Sequence, residues 1–583
     1  MKYSTRDSVI RSLLDGKFLI QGKDAESFLQ NLCGNNVAIP VRKVVYGQLL
    51  NERGGIEADL TVTRMDERTD FIVSACATTT GDFDWIQRHI KIKIEGIGSM
   101  IATNTFCNST TRKLPRTKIV DDAVLPRIHE ATVKLLEETG VIFEHDEALE
   151  IFKRHGAGVD AKTVTIPAKM AEAAMDQTPA TYRHEARNQE QSVTIGDGIA
   201  PHPNVGCVFC EDMENGRRRG LLKDFANFQK LSQASNICKL TGATPVAPDD
   251  VEASERALYM LYETIKHTDK PLIASCTVAK KARESLDMVE IIFGENYLDD
   301  HCCVGVSTNP ISPLKYAPET LDTIIEYARR RQPVFILPCA MSGVSAPMDL
   351  FGSIVQQNAE AVAGITLTQL IQPGTPAVYC PASTMADMRT AICLYAPPEQ
   401  FLINSACLQM AIDHYHVPTR IMAGMTDSKA VDVQAGYETM QNMLMGLMTG
   451  GHMVEQVFGV LDAIMTISYE KFIIDEEILS RAIRICEGVD TSESAMSLDV
   501  IQEVGPGGSY ITHEDTFEKF SNAWRPTVSF WGSYTDWEKT GKESVMARAS
   551  RKYKEILAAS PEMMIPPDLD RDLRKFLDAA RGL

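Results

Sequence analysis

PVFILPCAM (333–341), FGSIVQQNAEAVAGITLTQL (351–370) and PAVYCPAST (376–384) read in succession as strand, amphipathic helix and strand. Two strands separated by one helix make a parallel pair, because a right-handed crossover is needed to bring the chain back to the same end of the sheet. Working outward, the alternation recurs at roughly 30–45 residue spacing. Further strands are expected in KLTGATPVAP (239–248), KPLIASCT (270–277), CCVGVSTN (302–309), PTRIMAG (418–424) and HMVEQVFG (452–459), with an eighth near GCVFCED (206–212). PETLDTIIEYARRR (318–331) is one of the intervening helices. No GxGxxG turn follows the first strand, so the expectation is α/β, a closed (β/α)₈ TIM barrel with its chemistry in the loops after the strands.

Upstream, VLPRIHEATVKLLEETG (124–140) places Leu125, Ile128, Ala131, Leu135 and Leu136 near one helical face and stops at Gly140. DEALEIFKRHG (146–156) stops at Gly156 in the same way, and PAKMAEAAMDQTP (167–179) opens on proline. These form an N-terminal helical extension of the barrel. The first 92 residues have a different character: GKDAESFLQNLC (22–33) has helical spacing, and KVVYGQLL (43–50) and IEADLTVTR (56–64) flank a turn at Asn51-Glu52-Arg53-Gly54-Gly55 as a β-hairpin. FIVSACA (71–77) adds a strand and GDFDWIQRHI (81–90) a helix. Periodicity then fades. The expected organisation is a small α+β segment at 1–92, a linker at 93–118 and the barrel at 119–583, which suits a 583-residue chain too long for one ordinary core.

The net charge of −19 argues against nucleic acid or an anionic membrane surface as partner, since both need clustered Lys and Arg. The longest apolar runs fall short of a membrane span, and MKYSTRDSVIRSLLDGKFLI carries no signal-peptide pattern, so a cytoplasmic protein is expected. Its fourteen cysteines are scattered and read as reduced. Cys207 and Cys210 form a CxxC, and His301-Cys302-Cys303 a second cluster, but neither has a second pair at zinc-site spacing. No metal is therefore expected. GPGG (505–508) lacks the Lys-Ser/Thr of a phosphate loop and reads as a turn.

The loop AGMTDSKAVDVQAG (423–436) brings Asp427, Lys429 and Asp432 together at a predicted C-terminal strand end, with Met425 at its start. Arg420 lies within the preceding strand, where only a carboxylate makes a buried guanidinium tolerable.

RIHEATVKLLEETGV, SAPMDLFGSIVQQNAEAVAGITLTQL, AGMTDSKAVDVQAG, SYEKFIIDEE and IQEVGPGGSY occur in an order that resembles the trimethylamine methyltransferase family over most of the chain. The archaeal trimethylamine enzyme of that family carries pyrrolysine in the loop matching AGMTDSK. This chain has Met425 near that place and one residue fewer, so it resembles the non-pyrrolysine, glycine betaine methyltransferase-like branch. The resemblance implies transfer of a methyl group from a methylated, betaine-like quaternary amine to the Co(I) of a corrinoid, which a separate partner protein carries. No DxHxxG-type cobalamin-ligand stretch occurs here, in keeping with that division of labour. A homo-oligomer is implied as well.

Asp427, Lys429 and Met425 are the catalytic candidates. For a betaine, Arg420 is the expected carboxylate ligand, Phe209, Tyr379 and Phe458 are candidates for an aromatic cage around the cation, and Gln456 and Glu360 are further substrate-binding candidates. LLNERGGIEADLTVTR (49–64) resembles the folate-binding aminomethyltransferase domain of the glycine-cleavage T-protein and dimethylglycine dehydrogenase, and Asp59 matches the acid after its Gly-Gly turn. Folate-linked demethylation through bound tetrahydrofolate is therefore one alternative, and a non-catalytic betaine-binding protein another.

Overall fold

The computed structural model describes residues 9–14, 17–21, 26, 29, 30, 33, 35–50, 56–67, 69–74, 114–390 and 392–581. The chain divides into two compact units, residues 1–104 with 530–543, and residues 105–529 with 544–583. The predicted helix at 81–90 and most of the predicted linker lie outside the described residues, but Leu114 and Thr117 already belong to the second unit. Their amides donate to the carbonyls of Cys486 (3.3 Å) and Met448 (2.9 Å).

In the first unit, Val9–Leu14, Lys17–Gln21, Thr69–Ser74, Ile56–Asp66 and Val44–Leu50 form one antiparallel sheet in that spatial order. The predicted hairpin is its 44–66 edge, paired from Val44↔Thr63 to Leu50↔Ile56. Leu60, Val62 and Ile72 bury one face beside Leu29 and Val37. Asp59 lies within the hairpin, opposite Gln48 in the backbone register.

The second unit begins with helices Leu125–Glu138, Asp146–Arg154 and Ala168–Gln177, as the spacing predicted. Gly140 and Gly156 end the first two in left-handed conformations (φ 74° and 93°) that an L side chain adopts only at a cost. Parallel strands follow: β1 (Ala200–Pro201), β2 (Leu272–Ala274), β3 (Val304–Thr308), β4 (Val334–Ile336), β5 (Ala377–Tyr379), β6 (Arg420–Met422) and β7 (Met453–Glu455). They form two parallel sheets, β2-β3-β4-β5 and β1-β7-β6. An isolated parallel bridge joins Tyr379 to Thr419, beside β6. On the other side, Lys239 N–H donates to Pro201 O (2.7 Å), Thr241 N–H donates to Pro271 O (3.0 Å), and Val205 bridges Thr244.

Two of the strand expectations need correction. The 239–248 segment makes a single bridge rather than a strand, because Gly242 and Pro245 interrupt it. Residues Phe209–Asp212 are a strand, but in a separate four-stranded sheet with Gly216–Arg219, Thr466–Ser468 and Val460–Leu461. Gly206, at φ 106°, lies between this strand and β1. The early strand of the parallel layer is β1, two residues long.

Side chains alternate across these strands, as the two-residue period requires. Leu272, Val304, Val306, Val334, Ile336, Ala377 and Tyr379 join the large core formed with the helices. Ile273, Phe335, Val378, Met453 and Ala200 form a separate cluster on the opposite face. Gly305 belongs to that opposite face: a Cβ there would lie 2.2 Å from Cζ of Phe335, so the absent side chain is what admits the ring.

Candidate active site

Arg420 opens β6 and stands opposite Met453 of β7. Its side chain and that of Glu455 are each 1% exposed, with Nη1 3.2 Å from Glu455 Oε1. Nη1 also donates to Ser307 Oγ of β3 at 2.7 Å, and the guanidinium carbon lies 5.5 Å from the centroid of the Phe335 ring. The guanidinium therefore reaches from one parallel sheet to strands of the other. Burial pushes the Glu455 carboxyl above its ordinary range, while the Arg420 charge opposes that rise.

The pair is electrostatically matched yet poorly satisfied. Arg420 Nε and Nη2 and both Glu455 oxygens lack a hydrogen bond of good geometry, although the two charges are close. Buried polar atoms in this condition are uncommon in folded proteins and cost free energy unless a ligand or water completes them. Pro201 pairs with Val454, and His202 N–H donates to Val454 O at 2.9 Å, so His202 stands level with Glu455 on the neighbouring strand. Oε1 of Gln456 is also buried without a hydrogen bond of good geometry, while the His202 ring is held by the Pro203 backbone and Asn204 bonds the Cys207 thiol. Together the Arg420 and Glu455 atoms offer excess donors and one anionic acceptor group inside the parallel strands.

Beyond the strand ends the lining becomes apolar. Met422, Met425, Ala382 and Val460 form a buried cluster, against which Leu337, Cys339, Tyr395 and Ile464 pack. Asn442 holds the turn by donating to the Met425 carbonyl at 2.9 Å. Gly424 permits a close approach: a Cβ there would lie 2.0 Å from the Gln456 carbonyl oxygen.

The loop after β6 is fastened from several sides. The Asp427 carboxylate accepts the backbone N–H groups of Tyr395 and Ala396, both at 2.9 Å, and burial still leaves its pKa raised. Asp432 caps helix Val433–Thr449 by accepting from Ala435 N–H at 2.9 Å. Lys429 is mostly exposed and pairs with Asp462 Oδ1 at 2.8 Å. Asp462, Ala463 and Ile464 are consecutive left-handed residues (φ 54°, 50° and 75°). Their turn docks on the loop through Asp462 N–H to Ser428 O (2.8 Å) and Ala463 N–H to Thr426 O (3.1 Å). Such residues cost about 1–2 kcal/mol each, so surrounding contacts must hold the turn in place.

The structure thus brings Arg420, Met425 and Gln456 to one region, with Gln456 at φ 63° and its Nε2 donating to Val205 O at 2.8 Å. Asp427 and Lys429 are committed to loop anchoring. Phe209 lies in the separate sheet with the Arg217 guanidinium 3.6 Å over its ring. Tyr379 faces the helices and donates to Asn358 Oδ1 at 2.9 Å, and Phe458 stacks on Phe472 at 4.9 Å within another buried cluster. None of these three aromatics joins the Arg420 region. Glu360 accepts from Ser312 Oγ (2.7 Å) and Leu314 N–H (2.9 Å), and so anchors a different loop. The side chain of Asp59 lies outside the described residues. Sequence reasoning missed Glu455, although the carboxylate demanded by a buried Arg420 was two residues past Met453, its strand partner.

Among the described residues no His/Cys/Asp/Glu cluster has metal-site geometry, and no helix is long and apolar enough to cross a membrane. The described cysteines are free thiols. Burial pushes Cys210 up to about 12, and Cys207 also upward.

The second unit is thus an α/β unit that buries a charge pair on its parallel strands and an apolar cluster beyond their ends. The trimethylamine methyltransferase (MTTB) pattern matches residues 94–581, and the GCVT N-terminal domain pattern matches residues 13–113. The chain belongs to the trimethylamine methyltransferase family. It is 37% identical over 472 residues to the glycine betaine methyltransferase of Desulfitobacterium hafniense strain Y51, covering 80% of this chain and 98% of that one. It is 32% identical over 423 residues to the proline betaine:corrinoid methyltransferase of Eubacterium limosum, covering 70% and 86%.

Proposed function

We propose that this protein moves a methyl group from a quaternary, betaine-like amine to the Co(I) of a corrinoid carried by a separate protein. The observation that carries this reading is the buried Arg420–Glu455 pair, in which Arg420 Nε and Nη2 and the Glu455 oxygens lack a hydrogen bond of good geometry. A zwitterion supplies the complement: its carboxylate takes the free guanidinium donors and its cation lies beside Glu455. Names of the relatives, which include glycine betaine and proline betaine methyltransferases, support the same substrate class.

The fold proposal that accompanies it is a (β/α)₈ barrel. The two parallel sheets become neighbours through the Tyr379–Thr419 bridge, and the 239–244 segment becomes the remaining stave through its bonds to Pro201 and Pro271. Arg420, Ser307 and Glu455 then point into the barrel and the 423–432 loop lies at its mouth, where such folds place their chemistry. The described free thiols suit a reducing cytoplasm.

The chemistry asks little proton transfer of the protein. The acceptor's reduced cobalt attacks one methyl carbon, the carbon–nitrogen bond breaks, and its electron pair stays on nitrogen as a neutral tertiary amine. The leaving group needs no activation. Arg420 orients the substrate, while Met422, Met425, Ala382 and Val460 exclude water from the reacting end. The test is anaerobic incubation of the full chain with chemically reduced corrinoid and a panel of quaternary and tertiary amines, followed by the cobalt absorbance change. Methylation with glycine betaine is expected; no methylation with any quaternary amine overturns the proposal.

A further inference from the structure

We infer that Tyr395 is a specificity-determining residue whose ring, at the Glu455 end of the site, meets the trimethylammonium group of the substrate. This rests on the proposed use of a betaine-like substrate and adds the aromatic surface that recognises its cation. Register sets the place. Arg420 is level with Met453, and two residues nearer the strand ends Met422 pairs with Glu455. Met422 belongs to the apolar cluster with Met425, Ala382 and Val460, and among the described residues Tyr395 is the aromatic side chain that packs against it. Two more residues join this cluster to the charge pair. Leu337 packs against it and also against the cluster that holds Phe335, whose ring centroid lies 5.5 Å from the Arg420 guanidinium carbon. Cys339, packed on the same cluster as Tyr395, lies within electrostatic reach of Glu455 and Arg420 on one side and of the Tyr395 phenol on the other.

The half-buried Tyr395 is held at both ends. Its backbone N–H donates to Asp427 Oδ1 at 2.9 Å, the next N–H, of Ala396, donates to Oδ2 at 2.9 Å, and the phenol hydroxyl bonds the Cys393 thiol. Among the described residues no second ring and no side-chain cation stacks on it. Burial pushes the phenol above its ordinary range, so it stays neutral. A trimethylammonium group has no N–H to donate. What holds it is the charge of a carboxylate, apolar contact with its methyls and the negative face of an aromatic ring. Glu455, the Met422–Met425 cluster and Tyr395 supply these three in turn. Asp427, by fixing the Tyr395 backbone, is then a positioning residue for the ring.

The experiment titrates the full-length chain calorimetrically, without corrinoid, using glycine betaine and tert-butylacetate, which has carbon in place of the nitrogen and so keeps the shape and the carboxylate but not the cation. Tyr395→Phe keeps the ring; Tyr395→Leu and Tyr395→Met fill its space without one. Glycine betaine should bind the two ringless variants roughly 5–30-fold more weakly, with tert-butylacetate nearly unchanged, and should bind Tyr395→Phe within about threefold of wild type. Thermal unfolding reports that each variant is folded, and Tyr395→Met, whose flexible chain refits the gap, decides the matter if Tyr395→Leu does not fold. Equal losses for the two ligands, unchanged glycine betaine affinity in a ringless variant, or a Tyr395→Phe variant as weak as the ringless ones overturns the inference. A wild-type chain that methylates corrinoid from glycine betaine while giving any of those results keeps its proposed function and loses only this contact. Failure of methyl transfer from every quaternary amine removes the function itself.

Discussion

Replacing Arg420 with methionine separates the structural role of the buried pair from its role in recognition. The charges are 3.2 Å apart, and at an effective dielectric of ~20 their attraction is about 5 kcal/mol. Removing one partner strands the other, a change that typically costs ~3–5 kcal/mol in folded proteins. Glu455 has an escape, because burial already raises its pKa and loss of Arg420 raises it further. A carboxyl whose folded pKa is raised contributes stability below its unfolded pKa and loses it as pH rises through the folded value. The stability deficit of Arg420→Met should therefore grow between pH 5 and pH 8, where the unpaired carboxylate must ionise. Arg420→Met with Glu455→Gln removes both charges and should recover most of the loss, giving a coupling of ~3 kcal/mol or more in a denaturant double-mutant cycle. Binding adds an independent arm: in Arg420→Met alone, which keeps Glu455 beside the cation, glycine betaine affinity should fall by roughly 10–100-fold and choline affinity much less. Additive single-variant costs, a pH-independent deficit, or equal losses for the two ligands would refute the reasoning.

Gly424→Ala puts a Cβ 2.0 Å from the Gln456 carbonyl oxygen, so denaturation should show a loss of ~1–3 kcal/mol or more, and methyl transfer should fall with it. Ala463→Gly relieves a left-handed residue at φ 50° and should gain up to ~1 kcal/mol in the same assay; a loss would mean that the Ala463 methyl packs productively. Asp475→Asn leaves Lys471, 2.7 Å away and equally buried, without its counter-charge, and a cost of ~3–5 kcal/mol is expected by chemical denaturation. Burial alone would raise the Glu477 carboxyl, but hydrogen bonds from the Ser529 side chain and the Val528, Ser529 and Thr527 backbone lower it. Its contribution is present above the unfolded glutamate range near pH 4 and is lost as pH falls through the lower folded value. Glu477→Gln should therefore flatten the acid limb of the stability profile, and an unchanged acid limb would contradict the assignment.

What the sequence made visible was set by how each segment is buried. PVFIL and PAVY are short apolar runs between turn residues, and each contains a strand. Burial on both faces also hid their parity, because a run that is apolar throughout does not declare which residues point inward. Tyr379, a cage candidate by its place near a strand end, faces the helices, and its neighbour Val378 occupies the cluster on the opposite face. The two-residue β1 strand, Ala200–Pro201, is too short and too rich in neighbouring proline to carry a pattern. GCVFCED carried the apolar pattern expected of an early strand of the barrel, yet folds into the separate sheet.

The site was legible through one argument from cost. Arg420 in an apolar strand required a carboxylate, and the structure supplies Glu455 from the adjacent strand. The loop residues that looked catalytic, Asp427 and Lys429, instead form the frame: one secures Tyr395 and Ala396, the other pairs with the left-handed turn at Asp462. Polar atoms that lack a hydrogen bond of good geometry gather instead on the strands, at Nε and Nη2 of Arg420 and the Glu455 carboxylate. Buried polar atoms in that condition cost free energy that a bound ligand or water would recover, and they gather at the Arg420–Glu455 pair rather than in the well-fastened loop beyond it.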